Sequence, residues 1–183
     1  MTIRDADRHD AAAIAEIYAY YVRHTAVTFD YEASSAEETE KAINETQRNY
    51  PFLVACEDGR IVGYACAGPF KRRPAYDWAA ETTIYLHPEE RGKGSGALLL
   101  SALEDEMRKR HFLNAYACIA YTENEDETLT NASMRFHDRM GYRLCGTFRK
   151  CGYKFGRWYD MIWMEKMLGE HGGEPKPIQE KTE

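Results

Sequence analysis

The sequence lacks a long hydrophobic run, a hydrophobic leader and an excess of basic residues. No apolar stretch approaches the ~20 residues that a membrane helix needs. The first residues, MTIRDADRHD, contain no apolar signal region. The net charge at pH 7 is −6, which disfavours a nucleic-acid partner. These absences predict a cytoplasmic protein that binds neither membranes nor nucleic acids.

Paired cysteines and metal-ligand spacings are also missing. The five cysteines include no C-x-x-C pair, and the six histidines show no spacing typical of metal ligands. Most of the cysteines lie in apolar, strand-like runs. We therefore expect buried, reduced thiols and no metal site.

The chain has 183 residues, of which 44% are hydrophobic. This length and composition are sufficient for the core of one globular domain. The apolar pattern predicts elements in the order β-α-α-β-β-β-α-β-α-β-β. A capping box at Ser35 and Glu38 predicts a helix as far as Asn49, and Asp58-Gly59 predicts a hairpin turn. The last two strands are predicted at residues 142–150 and 158–167, on either side of residues 151–157. We expect residues 1–168 to form the domain and residues 169–183 a polar, disordered tail.

The most informative stretch is residues 81–100, ETTIYLHPEERGKGSGALLL. Its first part alternates as a strand does, and Pro88 ends that strand because proline cannot donate to a ladder. The run Arg91 to Gly96 then has glycine at every second position and leads into a helix, whose unpaired N–H groups and dipole attract anions. Such a loop suits a phosphate or pyrophosphate. It is not a P-loop, because Ala97 follows the last glycine, and it lacks the G-x-G-x-x-G spacing of dinucleotide-binding folds.

Arg91, Gly94 and Gly96 resemble the Arg/Gln-x-x-Gly-x-Gly/Ala loop of the GNAT N-acetyltransferase superfamily. Within it, the chain is most similar to phosphinothricin and methionine-sulfoximine type N-acetyltransferases. The segments that carry this likeness are FLVA (52–55), AGPFK (67–71), AYDW (75–78), AETTIYL (80–86), MRFH (134–137), GY (141–142) and GYKFGRW (152–158). The resemblance implies an α/β (α+β) fold with a central mixed, mostly antiparallel sheet of about seven strands flanked by helices.

The resemblance also implies an activity. It predicts transfer of the acetyl group of acetyl-CoA to the amine of a small acceptor such as phosphinothricin, methionine sulfoximine or methionine sulfone. Transfer would be direct, in a ternary complex, and the protein a homodimer. The residues expected to bind the cosubstrate are Tyr85, Leu86, Arg91, Gly92, Lys93, Gly94, Ser95, Gly96 and Asn131.

Two side chains are candidates for catalysis. An amine is largely protonated at neutral pH, so a base must take its proton. Glu81 begins the central strand, and the resemblance puts the catalytic glutamate there. His137 occupies a position where the resembling enzymes carry a histidine implicated in catalysis, and it could protonate the leaving thiolate or orient Glu81. A main-chain N–H near Tyr85 or Leu86 is the expected oxyanion donor.

The acceptor is expected to meet a basic loop and an apolar pocket. Cations ahead of an aromatic side chain suit an anionic amino-acid analogue. By resemblance the substrate-binding residues are Phe29, Lys71, Arg73, Tyr76, Thr83 and Met161. The acidic run at residues 123–127 would instead favour a cationic acceptor, such as a protein N-terminus, a lysine or a polyamine. A further alternative is a sensor or structural module that binds acetyl-CoA without turnover.

Overall fold

The computed structural model describes residues 1–179, which form a seven-stranded sheet and four α-helices. The elements follow one another in the predicted order. They are β1 (Thr2–Asp5), α1 (Ala11–His24), α2 (Ala36–Thr46), β2 (Phe52–Glu57), β3 (Arg60–Pro69), β4 (Ala79–Leu86), α3 (Ser95–Lys109), β5 (Asn114–Tyr121), α4 (Ala132–Arg139), β6 (Arg143–Lys154) and β7 (Arg157–Met167). Within residues 1–179, no helix combines the length and the hydrophobicity that a bilayer crossing requires.

The sheet has the strand order β1-β2-β3-β4-β5-β7-β6, and every neighbouring pair is antiparallel except β4 and β5. The parallel pair is short, because only residues 79–81 of β4 are in register with residues 114–116 of β5. Beyond Glu81 the two strands diverge, so the middle of the sheet opens into a fork. The predicted mixed, mostly antiparallel sheet is therefore confirmed.

Helices cover the sheet on both faces. One apolar cluster joins α1 and α2 to β2 and β3, through residues such as Ile14, Ile43 and Val54. The other joins α3 to the opposite face of the central strands, through residues such as Leu99 and Leu103. Both clusters follow from the alternation of β-strand side chains between the two faces and from helices with one apolar stripe.

The predicted helix cap and hairpin turn are present, but two predicted element boundaries are wrong. Ser35 and Glu38 cap α2 reciprocally, but the helix ends at Thr46 instead of Asn49. Asp58 and Gly59 both have positive φ (49° and 77°), as a two-residue hairpin turn requires. The predicted gap between the last two strands, at residues 151–157, is too long, because β6 runs to Lys154 and a second tight turn, Phe155-Gly156, leads directly into β7.

The prediction of buried thiols is only partly right. All five cysteines are free, but Cys118, Cys145 and Cys151 are exposed. They lie on β5 and β6, in the half of the sheet whose face α1 and α2 leave uncovered. An apolar run identifies a strand, but it does not say whether a helix covers that strand.

Part of the segment predicted as a disordered tail contacts the domain. Trp78 Nε1 donates to Lys176 O at 2.7 Å, and Gln179 N donates to Arg110 O at 3.1 Å. A ring nitrogen of His111 lies 2.8 Å from Pro177 O. Residues 176–179 therefore lie against the domain, without helix or strand. Residues 180–183 of the predicted tail lie outside the described residues, and the boundary at residue 168 stays a prediction.

Candidate active site

The fork between β4 and β5 is the mouth of a cleft of about 440 Å³. Six of the residues predicted from the sequence line it: Phe29, Glu81, Thr83, Tyr85, His137 and Met161. Glu81 is the last residue of β4 that pairs with β5, opposite Tyr116, so its carboxyl group lies at the base of the fork. The cleft thus collects residues from the α1–α2 link, from the four strands β4 to β7, and from α4.

The environment of Glu81 changes the pKa of its carboxyl group. Burial raises the pKa of the Glu81 carboxyl group above its usual value, and the charge of Lys71 opposes that increase. A carboxyl group with a raised pKa is better matched to proton transfer near neutral pH than an ordinary surface glutamate. Glu81 is therefore suited to act as a base toward a group that enters the cleft.

The main chain of β4 supplies a donor at the same opening. His87 N donates to Val62 O on β3 at 2.8 Å, so His87 directs its main-chain groups toward β3. Because these groups alternate along a strand, Tyr85 also directs its N–H toward β3, whereas Leu86 directs its groups away. The Leu86 carbonyl indeed accepts a hydrogen bond of 2.6 Å from Tyr21 Oη. Of the two predicted oxyanion donors, only the Leu86 N–H faces the opening.

The glycine loop follows β4 and ends at the first turn of α3. Gly92 and Gly94 have φ values of 78° and 91°, which side chains other than glycine rarely adopt. Within residues 1–179, no N–H group of residues 91–96 donates a hydrogen bond to the protein, whereas Ala97 N already donates to Gly94 O. The loop therefore has a row of free donors, as a bound anion needs.

The charged side chains of this loop are held in place by neighbours. The guanidinium carbon of Arg91 lies 5.8 and 5.9 Å from the ring centroids of Tyr20 and Tyr21, and Arg91 Nε donates to Pro88 O. Lys93 Nζ lies 3.2 Å from the buried carboxylate of Glu90, which also accepts a hydrogen bond from Arg60. Sequence reasoning missed Glu90, whose partner Arg60 is distant in the chain.

Comparisons with known proteins agree with this geometry. The sequence profile of the acetyltransferase (GNAT) domain matches residues 3–163. The chain belongs to the GNAT acetyltransferase family. It is 36% identical over 170 residues to a phosphinothricin N-acetyltransferase of Streptomyces coelicolor, covering 91% of this chain and 95% of the relative. It is also 36% identical over 173 residues to the L-methionine sulfoximine/L-methionine sulfone acetyltransferase of Salmonella typhimurium, covering 93% and 96%.

A solved structure supports the same assignment of fold and cosubstrate. The GNAT phosphinothricin acetyltransferase of Sinorhizobium meliloti, in complex with AcCoA, superimposes with a TM-score of 0.87 at 34% identity, covering 96% of this chain and 92% of that one. The predicted fold, the predicted class of enzyme and acetyl-CoA as cosubstrate are thereby confirmed.

In this GNAT acetyltransferase His137 is a buried, neutral imidazole. Its side chain is only 3% exposed, and burial lowers its pKa. Its Nδ1 lies 2.9 Å from Ser133 O, which can only accept, so Nδ1 carries the hydrogen and Nε2 holds a lone pair. Nε2 has no hydrogen-bond partner among the described residues. A neutral imidazole of this kind can accept a proton in the cleft, but it cannot donate one from Nε2 until it has done so.

The basic loop lies beside the cleft rather than within its walls. Lys71 Nζ lies 5.0 Å from the centroid of the Phe70 ring and 5.7 Å from that of Trp163. Phe70 stacks on Tyr116 at 4.3 Å, and Tyr76 meets Phe70 edge-on. Arg73 and Tyr76 are exposed. Sequence reasoning missed the aromatic support from Tyr116 and Trp163, because it depends on pairing between distant strands.

Asn131, which is predicted to bind the cosubstrate, is held by hydrogen bonds within the protein. Both ends of its buried amide are already used by the main chain of Thr122: Nδ2 donates to the carbonyl at 2.8 Å, and Oδ1 accepts from the N–H at 3.2 Å. It therefore fastens the start of α4 to the end of β5. The preceding residue, Thr130, lines the cleft instead.

Proposed function

We propose that the chain acetylates the α-amine of a small, anionic amino-acid-like compound, using acetyl-CoA. The observation that carries the proposal is the position of Glu81, at the base of the β4–β5 fork with the charge of Lys71 acting on it. A base and a cation beside one cleft suit an acceptor that has both an amine and an acidic group.

The cosubstrate would enter from the side of the glycine loop. The N–H groups of residues 92–96 would bind its diphosphate, and Arg91 and Lys93 would add positive charge. Its thioester arm would then lie along the diverging part of β4. There the N–H of Leu86 would donate to the carbonyl oxygen, on which negative charge develops during transfer.

Glu81 would take a proton from the acceptor ammonium, directly or through a water, so that the free amine can attack the thioester carbonyl. Collapse of the tetrahedral intermediate would release the coenzyme A thiolate. His137 would accept a proton at Nε2 from the intermediate and return it to that thiolate. This sequence fits the neutral His137 in the resting enzyme, and it needs no cysteine nucleophile.

The charge around the cleft favours an anionic acceptor over a cationic one. Two members of the acidic run are already neutralised by arginine, because Glu125 lies 2.5 Å from Arg135 and Asp126 lies 2.5 Å from Arg157. Within residues 1–179 the Lys71 ammonium group forms no hydrogen bond or salt bridge and lies near the Phe70 and Trp163 rings, so its charge is available to a ligand. The two relatives are named for phosphinothricin and for methionine sulfoximine or sulfone as substrates, and these names also support a small amino-acid-like acceptor.

A coenzyme A release assay tests the proposal. Wild type and Lys71→Ala would be compared on methionine sulfone, methionine sulfoximine, phosphinothricin, polyamines and peptides. We expect wild-type activity on the anionic amino-acid analogues, and a raised acceptor KM in Lys71→Ala. Equal or better activity on cationic acceptors would replace the proposal by the polyamine or protein alternative. Binding of acetyl-CoA with no turnover on any acceptor would favour the sensor alternative.

We also propose a homodimer that acts in the cytoplasm. The β6–β7 hairpin exposes several large apolar side chains, namely Leu144, Phe148, Tyr153, Phe155 and Trp158, which a second copy would cover. The five free thiols suit a reducing compartment. Light scattering after gel filtration should give twice the monomer mass of 21.1 kDa. A monomer at micromolar concentration would contradict the dimer.

A further inference from the structure

The link between α1 and α2, residues 25–35, is fastened to β6 beside the cleft. Lys154 is buried, and its Nζ donates to Thr28 O at 2.8 Å. Tyr31 Oη donates to Tyr153 O at 2.5 Å. Between these two bonds, the Phe29 ring lies against the main chain of Gly152 and faces Tyr159, with 6.2 Å between the ring centroids.

The backbone gives no reason for a glycine at position 152. Its φ is not in the left-handed region, so any residue could adopt this conformation. The neighbouring ring does give a reason. A Cβ atom at position 152 would lie 2.5 Å from Cδ2 and 2.6 Å from Cζ of Phe29, and closer still to Cε2. These three ring atoms are its nearest neighbours.

A Cβ atom at position 152 would clash with the Phe29 ring unless the ring moved. Ordinary carbon–carbon contacts are about 3.5–4.0 Å, so the ring would have to shift by about 1 Å. Tyr159, which pairs with Gly152 across β6 and β7, is buried beside the ring, and the hydrogen bond from Lys154 fixes the carbonyl of Thr28 next to it. Because Phe29 is itself part of the cleft wall, a displaced ring changes the shape of the cleft.

We propose that Gly152 is a positioning residue for the acceptor pocket: the missing side chain lets Phe29 lie flat on β6, and this sets the width of the pocket on the acceptor side. The inference rests on the proposed function, and it takes Phe29 as one of the acceptor-binding residues that the family resemblance implies. Gly152 itself contacts no reacting atom, so its effect passes entirely through the Phe29 ring.

The first test compares Gly152→Ala with a matched control on the same strand, Gly146→Ala. Gly146 also has an ordinary φ, but a Cβ there would meet nothing within 4 Å. With methionine sulfone we expect an acceptor KM about tenfold higher in Gly152→Ala, as a shift of about 1 Å near the reacting groups can cause. The shorter S-methylcysteine sulfone should be affected less. The KM for acetyl-CoA should stay at the wild-type value, and Gly146→Ala should match wild type throughout.

The second test asks whether the effect passes through Phe29. In the double variant Gly152→Ala/Phe29→Leu, the smaller side chain leaves room for the new Cβ. Its acceptor KM should equal that of Phe29→Leu alone. If Gly152→Ala does not fold, the double variant should restore folding and show the same equality.

Different results would overturn different claims. Three results would overturn the role of Gly152 and leave the proposed function intact. They are an unchanged acceptor KM in a folded Gly152→Ala, an equal rise in the KM values of both substrates, and a double variant whose acceptor KM differs from that of Phe29→Leu. A wild-type enzyme that acetylates no anionic amino-acid analogue would overturn both.

Discussion

Replacing Gly94 by alanine separates the anion-binding role of the glycine loop from its contribution to stability. Gly94 has a φ of 91°, and a Cβ there would meet nothing within 4 Å, so the substitution acts on the backbone alone. A side chain in the left-handed region costs roughly 1–2 kcal/mol. For a chain of this length that corresponds to a melting temperature lower by roughly 2–8 °C.

If the loop relaxes toward negative φ to escape this strain, its N–H groups turn away from the diphosphate. One hydrogen bond to a charged group is worth about 1.5–3 kcal/mol. At 1.4 kcal/mol per factor of ten, its loss raises the KM for acetyl-CoA about 10- to 100-fold. Acetyl-pantetheine, which has no diphosphate, should show no such change in KM.

Gly59→Ala is the matched control, because Gly59 has a φ of 77° and equally free surroundings but lies in the distant β2–β3 turn. It should lower the melting temperature by a similar amount and leave both KM values unchanged. The assay is coenzyme A release at varied concentrations of acetyl-CoA and of acetyl-pantetheine. A Gly94→Ala enzyme with wild-type stability and an unchanged KM for acetyl-CoA would refute the anion-binding role, because the loop would then have relaxed without any loss of binding.

Two further predictions concern pH. Lys71 lowers the pKa of Glu81, so Lys71→Met should move the acid limb of the kcat/KM profile to higher pH, and an unmoved limb would show that the two groups are not coupled. Burial lowers the pKa of His137 in the folded protein. As the pH drops below about 6.5, the pKa of a histidine in the unfolded chain, the unfolded chain therefore binds a proton that the folded protein does not. The free energy of unfolding should fall in this range. In urea unfolding at pH 7.5 and 5.5, His137→Asn should lose less stability than wild type, and equal losses would contradict a buried neutral imidazole.

The parts of the molecule that were predicted correctly depend on residues close together in the chain. The strand, the glycine loop and the helix start within residues 81–100 follow from alternation, proline and glycine, and the Asp58-Gly59 turn follows from the residue types that tolerate positive φ. The Phe155-Gly156 turn was missed because phenylalanine rarely adopts its φ of 50°. Here the pairing of two long strands imposes the turn on its residues.

The site was only partly predictable for a similar reason. Glu81, the loop and Phe29 could be named from motifs, but their surroundings depend on which distant strands pair. The opposition of Glu81 and Tyr116 depends on the β4–β5 register, and the Phe29–Gly152 contact depends on β6 lying beside the α1–α2 link. The three exposed cysteines illustrate the same limit, because helix coverage of a sheet is a property of the whole fold.

The central claim is that a carboxyl group at the base of the fork takes the proton from an amine held beside the acetyl thioester. The most direct test is the turnover of Glu81→Gln, measured from pH 6 to 9 with saturating acetyl-CoA, together with calorimetric binding of the cosubstrate. We predict a kcat about 100- to 10,000-fold below wild type with unchanged cosubstrate binding, since loss of a positioned base costs that much. Wild-type turnover by Glu81→Gln across this pH range would contradict the account.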